Sequence, residues 1–193
     1  MCSCNKKKST TTGEGAGGSG GAPLRMAMRT AAPVRVAEVA CVKPVVEPPE
    51  NVDTSVWGPS LWKILHIAAE FTGTSSHSRL WYALISAMCV GIPCDECRGH
   101  FVARNAAAPL RISRIPGGVH NSIVKWALNL HNFVNVATES GHGQWTVEQC
   151  RAVYGGNRVS RLAEARVALD AIRGVAGGEL VEALDRLLAF LGR

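Results

Sequence analysis

Gly91-Ile92-Pro93-Cys94-Asp95-Glu96-Cys97-Arg98-Gly99-His100-Phe101 is the stretch on which the reading of this chain turns. Two thiols stand three positions apart just past a proline, in the pattern of a helix's first turn. Proline suits that place because its missing N–H is one the helix would leave unpaired anyway. At such a start the thiols lie within disulfide reach of each other, and the unpaired N–H groups favour a thiolate. Asp95 and Glu96 also suit a first turn, although their charge opposes thiolate formation. Spacing alone leaves three uses open: a redox pair, half of a zinc site, or two unrelated buried thiols.

Outward from that stretch the periodic segments are helical. Upstream, Trp57-Gly58-Pro59 opens a helix with Leu61, Leu65 and Ala68 on one stripe and Trp62 and Ala69 beside it. A second helix spans about Ser78 to Val90, with Leu80, Trp81, Leu84, Ile85 and Met88 inward and Cys89 near its end as a small core residue. The dithiol opens a third helix, which Pro109 stops by about Ala107. Pro116-Gly117-Gly118 marks a turn. A long helix follows from about Asn121 to Thr138, with Ile123, Trp126, Ala127, Leu130, Val134 and Ala137 at helical spacing. On it His131 and Asn135 share one face, flanked by Asn132. Thr146-Val147-Glu148-Gln149 is a capping box for a short helix that Gly155 and Gly156 end near Tyr154. Two more amphipathic segments, about 160–173 and 178–191, close the chain, the last with a stripe of Leu180, Leu184, Leu187 and Leu191. No segment has a strand's period, so the expected fold is all-α, a helical bundle.

With 193 residues, 47% apolar and 19% charged, the chain can pack one ordinary domain with an extension. Residues 1–52 read as a tail, because six glycines between Gly13 and Gly21 and recurring prolines cannot bury enough surface to offset ordering entropy. Half of the net charge of +6 falls in residues 1–50, where seven basic side chains face four acidic. No basic stripe interleaved with aromatics appears, so nucleic-acid binding is not expected. No apolar run reaches the length of a membrane span. Lys6-Lys7-Lys8 leading into glycines is not a secretory signal, and Arg25, Arg29 and Arg35 without an acid are faintly similar to a transit peptide set back from the terminus. Seven cysteines, an odd number and scattered, do not make a disulfide scaffold. Cys2-Ser3-Cys4 at the tip reads either as exposed, lipidated thiols or as a mobile dithiol on a tether.

Three separated motifs stand in order at natural spacing. They are Trp57-Gly58-Pro59 with Trp62 and His66, Pro93-Cys94-x-x-Cys97-x-x-His100-Phe101, and Trp126 with Leu130-His131-Asn132-x-x-Asn135. Over about residues 55–155 the chain thereby resembles the Erv/ALR family of FAD-linked sulfhydryl oxidases, as cellular or viral members. The resemblance implies a bundle of four helices plus a short fifth that holds FAD at its mouth and is usually a homodimer. It implies a domain at 53–156 between the tail and a C-terminal helical extension, 157–193. Protein thiols would be oxidised to disulfides and O2 reduced to H2O2. By resemblance Cys94 receives the incoming thiolate and Cys97 lies against the isoalloxazine. Gly58, Trp62 and His66 on the first helix, and His131, Asn132, Val134 and Asn135 on the long one, would hold FAD, with His100 supporting the dithiol. The compartment would be cytoplasm or virion for a viral member and the mitochondrial intermembrane space for a cellular one.

Outside that pattern Trp62 would read as core, and His66 and His131 as helix-face histidines bonded to neighbours. Some family features are missing. The cysteines of a frequent second disulfide are replaced by Leu128 and Trp145, leaving Cys150 alone, and Ile92 stands where an aromatic is frequent. No basic residue in 136–145 matches the one that helps hold the FAD diphosphate. A zinc-binding helical interaction module is the competing reading, with Cys94, Cys97 and His100 as three ligands where a structural site wants four. A thioredoxin-like protein would need a βαβ frame.

The resemblance also implies a shuttle role for Cys2 and Cys4, since roughly fifty residues of flexible chain reach about 40 Å. Replacing both by serine is expected to slow oxidation of a folded protein thiol while sparing that of a small dithiol. Parallel rate measurements on the two substrates check this, and equal effects on both would count against it.

Overall fold

Asp53 starts the first helix, accepting a hydrogen bond from the Ser55 N–H at 2.8 Å. The helix, α1, runs Thr54–Phe71, three residues ahead of the start expected from Trp57. Pro59 therefore lies inside α1 rather than in its first turn, and the carboxylate cap explains why the helix begins where it does. The computed structural model describes residues 51–113, 115, 117–138 and 143–193. The Cys2–Cys4 tip lies outside the described residues. All of those described belong to one unit, 37–193.

A 3₁₀ turn at Ser75–His77 leads into α2, Ser78–Gly91. Then come α3, Asp95–Ala107, and α4, Gly118–Ala137. The capping box of Thr146 and Gln149 opens α5, Val147–Tyr154. The chain closes with α6, Arg158–Ile172, and α7, Gly178–Leu191. The fold is all-α, and no helix among the described residues is long and apolar enough to cross a membrane.

Helices α3 and α4 pack on α2 and α1 respectively, and α5 bridges α1 and α4. The final pair adds a second layer, α6 along α1 and α7 along α2. One continuous core results, in which Ile64, Leu65, Trp81 and Ile123 share the interior with Leu180 and Leu184. Buried Trp81 meets Trp126 edge-on at 6.1 Å, and its indole N–H donates to Thr72 Oγ1 at 2.9 Å. The inward stripe of α4 ends earlier than its spacing predicts. Leu130 is buried, Val134 half-buried and Ala137 exposed, and the same last turns carry His131, Asn132 and Asn135.

Where α7 begins, the packing is backbone on backbone. The Gly177 N–H donates to the Gly91 carbonyl at 2.9 Å. A Cβ on Gly91 would collide with Leu180 Cβ, and one on Gly177 would stand 2.8 Å from Gly91 Cα. Gly91→Ala sets a helix-propensity gain of up to about 1 kcal/mol against an overpacking cost of about 1–3 kcal/mol. No rotamer relieves a Cβ clash, so a net loss of stability is expected, read as a lower urea midpoint at unchanged slope. An unchanged midpoint would mean that α7 can retreat freely.

Candidate active site

Cys94 and Cys97 are joined as a disulfide, their Cα atoms 5.2 Å apart, and both are half-buried. Cys94 is the N-cap of α3 with extended backbone, and the Cys97 N–H donates to its sulfur at 3.1 Å. A sulfur in that place takes up one of the donors a helix start leaves unpaired, which favours a thiolate there once the pair is reduced.

The loop entering α3 is held from three directions. Val52 N–H donates to the Pro93 carbonyl at 2.8 Å, Gly177 N–H to that of Gly91, and the Arg98 guanidinium to that of Ile92. Arg98 is buried, also pairs with the Asp95 carboxylate, and its pKa is lowered by that burial. Asn51 grips the loop's far end, accepting from the Asp95 N–H at 2.7 Å and donating to its carboxylate at 3.1 Å. Asn51 and Val52, the last residues of the stretch read as tail, thus bind the redox loop. Arg98 escaped the sequence reading because an arginine beside a cysteine on a polar helix carries no signal of burial. His100 is exposed.

A second cluster joins α1, α4 and α5. The Trp62 indole stacks on His131 at 4.1 Å and 6° between planes, and His66 stacks on Tyr154 at 4.7 Å and 11°. His66 Nε2 and His131 Nδ1 share a hydrogen bond of 2.8 Å. Burial first, and then the His131 ring, push the His66 pKa down to about 3, so the imidazole is neutral. The Trp145 ring lies 6.2 Å from His131 and 6.3 Å from Tyr154. Asn132 holds Trp145 in place, accepting from its N–H at 2.8 Å and donating to its carbonyl at 2.9 Å. The Asn135 amide donates to the Gly143 carbonyl at 3.4 Å. Tyr154 and Trp145 are the ring partners that the sequence reading did not assign to the site. The spacing of Cys150 and Tyr154, both inward on α5, was the available signal.

Trp62, His66 and His131 are therefore brought together, Asn132 and Asn135 serve the segment that carries Trp145, and Val134 is half-buried. Gly58 is buried, yet a Cβ there would meet nothing within 4 Å, so the second turn of α1 leaves a cradle. Near-parallel rings and that cradle suit the flat parts of FAD. Among the described residues no cation lies over these rings to meet its diphosphate. The zinc reading finds no donor set, because no three His, Cys, Asp or Glu side chains are grouped for a metal among the described residues.

A disulfide presented at a helix start in an all-α bundle has the geometry that thiol–disulfide exchange uses. Residues 59–152 match the model of the Erv1/Alr family, a match consistent with an Erv/ALR sulfhydryl oxidase. Comparison with curated proteins and with solved structures gave no match.

The neutral His66 gives a pH dependence of determined sign. Its folded pKa of about 3 lies below the ordinary 6.5, so the unfolded chain binds the extra proton first. The His66 contribution is complete above pH 6.5 and is expected to fall away as pH drops from there towards about 3. Unfolding free energies in urea across that range, for the wild type and for His66→Gln, check it. The variant is expected to show a shallower slope, and an identical slope would show that His66 protonates freely in the fold.

Proposed function

We propose that this protein is an FAD-dependent sulfhydryl oxidase that forms disulfides in protein thiols with O2 as the final acceptor. The observation that carries the reading is the Cys94–Cys97 disulfide capping α3, in a segment that matches the model of the Erv1/Alr family. A substrate thiolate attacks Cys94 Sγ, the Cys94–Cys97 bond breaks, and Cys97 leaves as a thiolate in the first turn of α3. A second substrate thiolate then attacks the substrate sulfur of the mixed disulfide. Cys94 leaves as a thiolate, stabilised by the Cys97 N–H, since a better-stabilised leaving thiolate departs faster. The substrate disulfide is released and its two electrons stay in the Cys94/Cys97 dithiol. FAD, when bound, supplies the acceptor for that electron pair and returns it to O2 as H2O2.

For the cofactor, Trp62 and His131 offer flat faces, neutral His66 keeps the His131 ring oriented, and Gly58 leaves room beside α1. Asn132 and Asn135 act by fixing the Gly143–Trp145 wall. The half-burial of both sulfurs supports access for a substrate thiol.

A Cys97→Ser protein is expected to purify yellow, with a bound flavin spectrum, and to lose dithiol-dependent oxygen consumption by about 10³-fold or more, the order reached when an essential nucleophile is removed. Spectra and an oxygen electrode check both halves. A colourless wild type would sink the FAD reading, and a Cys97→Ser enzyme that still turns over would reassign the two sulfurs.

A further inference from the structure

Between α3 and α4 lies a cleft of about 310 Å³. Phe101, Arg104 and Asn105 of α3 and Lys125, Trp126 and Asn129 of α4 line it, and Arg111 stands at its rim on the connecting segment. Among the described residues three cations line this cleft and no carboxylate does. The bias extends well beyond it. Residues 97–138 contain Arg98, Arg104, Arg111, Arg114 and Lys125 and not one aspartate or glutamate, although the chain holds 15 acids. Arg98 is turned inward onto Ile92 and Asp95, and Arg104 lies over the Phe133 ring at 5.1 Å. Arg111 and Lys125 are exposed and pair with no carboxylate among the described residues.

Position ties the cleft to the dithiol. Phe101 and Arg104 follow Cys97 by four and seven residues, so they continue its face of α3, with Arg104 about 10 Å along the axis. On α4 the lining residues Ser122, Lys125 and Asn129 stand roughly a third of a turn away from the His131/Asn135 face, at 100° per residue. The cleft is thus distinct from the aromatic cluster, lying on another face of α4, and it shares α3 with the dithiol.

We propose that the α3–α4 cleft docks an acidic segment of the protein thiol substrate, presenting the neighbouring thiols to Cys94. This rests on the sulfhydryl oxidase reading. A single-signed surface beside a reaction centre attracts oppositely charged partners and raises their encounter rate. The volume is at the small end of ligand clefts and accommodates a short peptide stretch. Nucleic acid is disfavoured because Phe101 and Trp126 are buried, which leaves no exposed ring in the cleft on which bases could stack.

The test uses the full-length, flavin-loaded protein with two dithiol peptides, one flanked by glutamates and the other by glutamines, and with dithiothreitol alongside. In low salt, kcat/KM for the acidic peptide is expected to exceed that for its counterpart by about tenfold, within the range of electrostatic steering, and the preference is expected to shrink as salt rises. Arg111→Glu/Lys125→Glu, both at exposed positions, should abolish or invert the ratio between the peptides, while each substitution singly should halve it or more. Equal kcat/KM for the two wild-type peptides while dithiothreitol is oxidised would overturn the docking site and leave the oxidase reading standing. A preference that survives the double substitution would do the same. Failure to oxidise dithiothreitol would overturn the oxidase reading and the docking site with it. Stronger inhibition by oligo-dT than by a thiol-free glutamate peptide would reassign the cleft to nucleic acid and overturn the proposal.

Discussion

Three consecutive carbonyls, those of Gly91, Ile92 and Pro93, each accept a hydrogen bond from a different part of the chain. The donors are Gly177 at the start of α7, Arg98 inside α3, and Val52 ahead of α1. Between two helices the backbone has no ladder of its own, and buried carbonyls left unpaired would cost about 1–3 kcal/mol each. The solution here uses the lead-in for Pro93 and the C-terminal layer for Gly91, while the Ile92 carbonyl also accepts from the Cys94 N–H at 2.8 Å. A consequence is that the geometry of the disulfide depends on elements far from it in sequence. The α6–α7 pair, which by composition alone is an appendage, is part of the scaffold that sets where Cys94 stands.

The aromatic cluster ties a second set of elements by a different force. Helix α5 has only eight residues, well short of what stands alone in water. It is held where it is by Tyr154 on His66, by buried Cys150, and by the Arg151–Glu70 pair at 3.6 Å. The ion pair is the least of these, because Arg151 is largely exposed and such pairs contribute about 0–1 kcal/mol. Ring burial and stacking dominate. The Asn132 amide, bonded twice to the Trp145 backbone, then closes α4 onto the segment entering α5.

Much of this was legible in the sequence where the signal is local. The stripe Leu180, Leu184, Leu187, Leu191 gave α7 its bounds, the Thr146/Gln149 box gave α5, and Pro109 gave the end of α3. The Trp62, His66 and His131 rings, named together by the family pattern, contact one another in the structure. What stayed hidden depends on contacts at long range. The start of α1 moved because Asp53 caps it, a choice that competes with Pro59 and cannot be weighed without the loop that Asn51 and Val52 grip. Arg98 looked like a solvated charge, since nothing nearby in sequence says that its guanidinium folds under Ile92. Period alone points Ala137 inward, whereas the interior does not reach the last turn of α4.

Thiol chemistry also has to be kept away from the wrong sulfur. Cys150 is a free thiol on α5, the helix that carries Tyr154, and an ionised thiol there would compete for exchange with the Cys94–Cys97 bond. Burial first, and then the Glu70 carboxylate, raise its pKa to about 11. At neutral pH that leaves about one thiolate in 10⁴, against a few per cent for an ordinary cysteine near 8.5. The same physics runs in the opposite direction at Cys94, where a helix-start N–H stabilises the charge that Cys150 is denied. Reactivity is therefore divided between the two by solvation and donors, since the side chains themselves are identical. Glu70 has a structural part in this division: its pairing with Arg151 helps to seat α5, and its charge adds to the burial that keeps the thiol protonated.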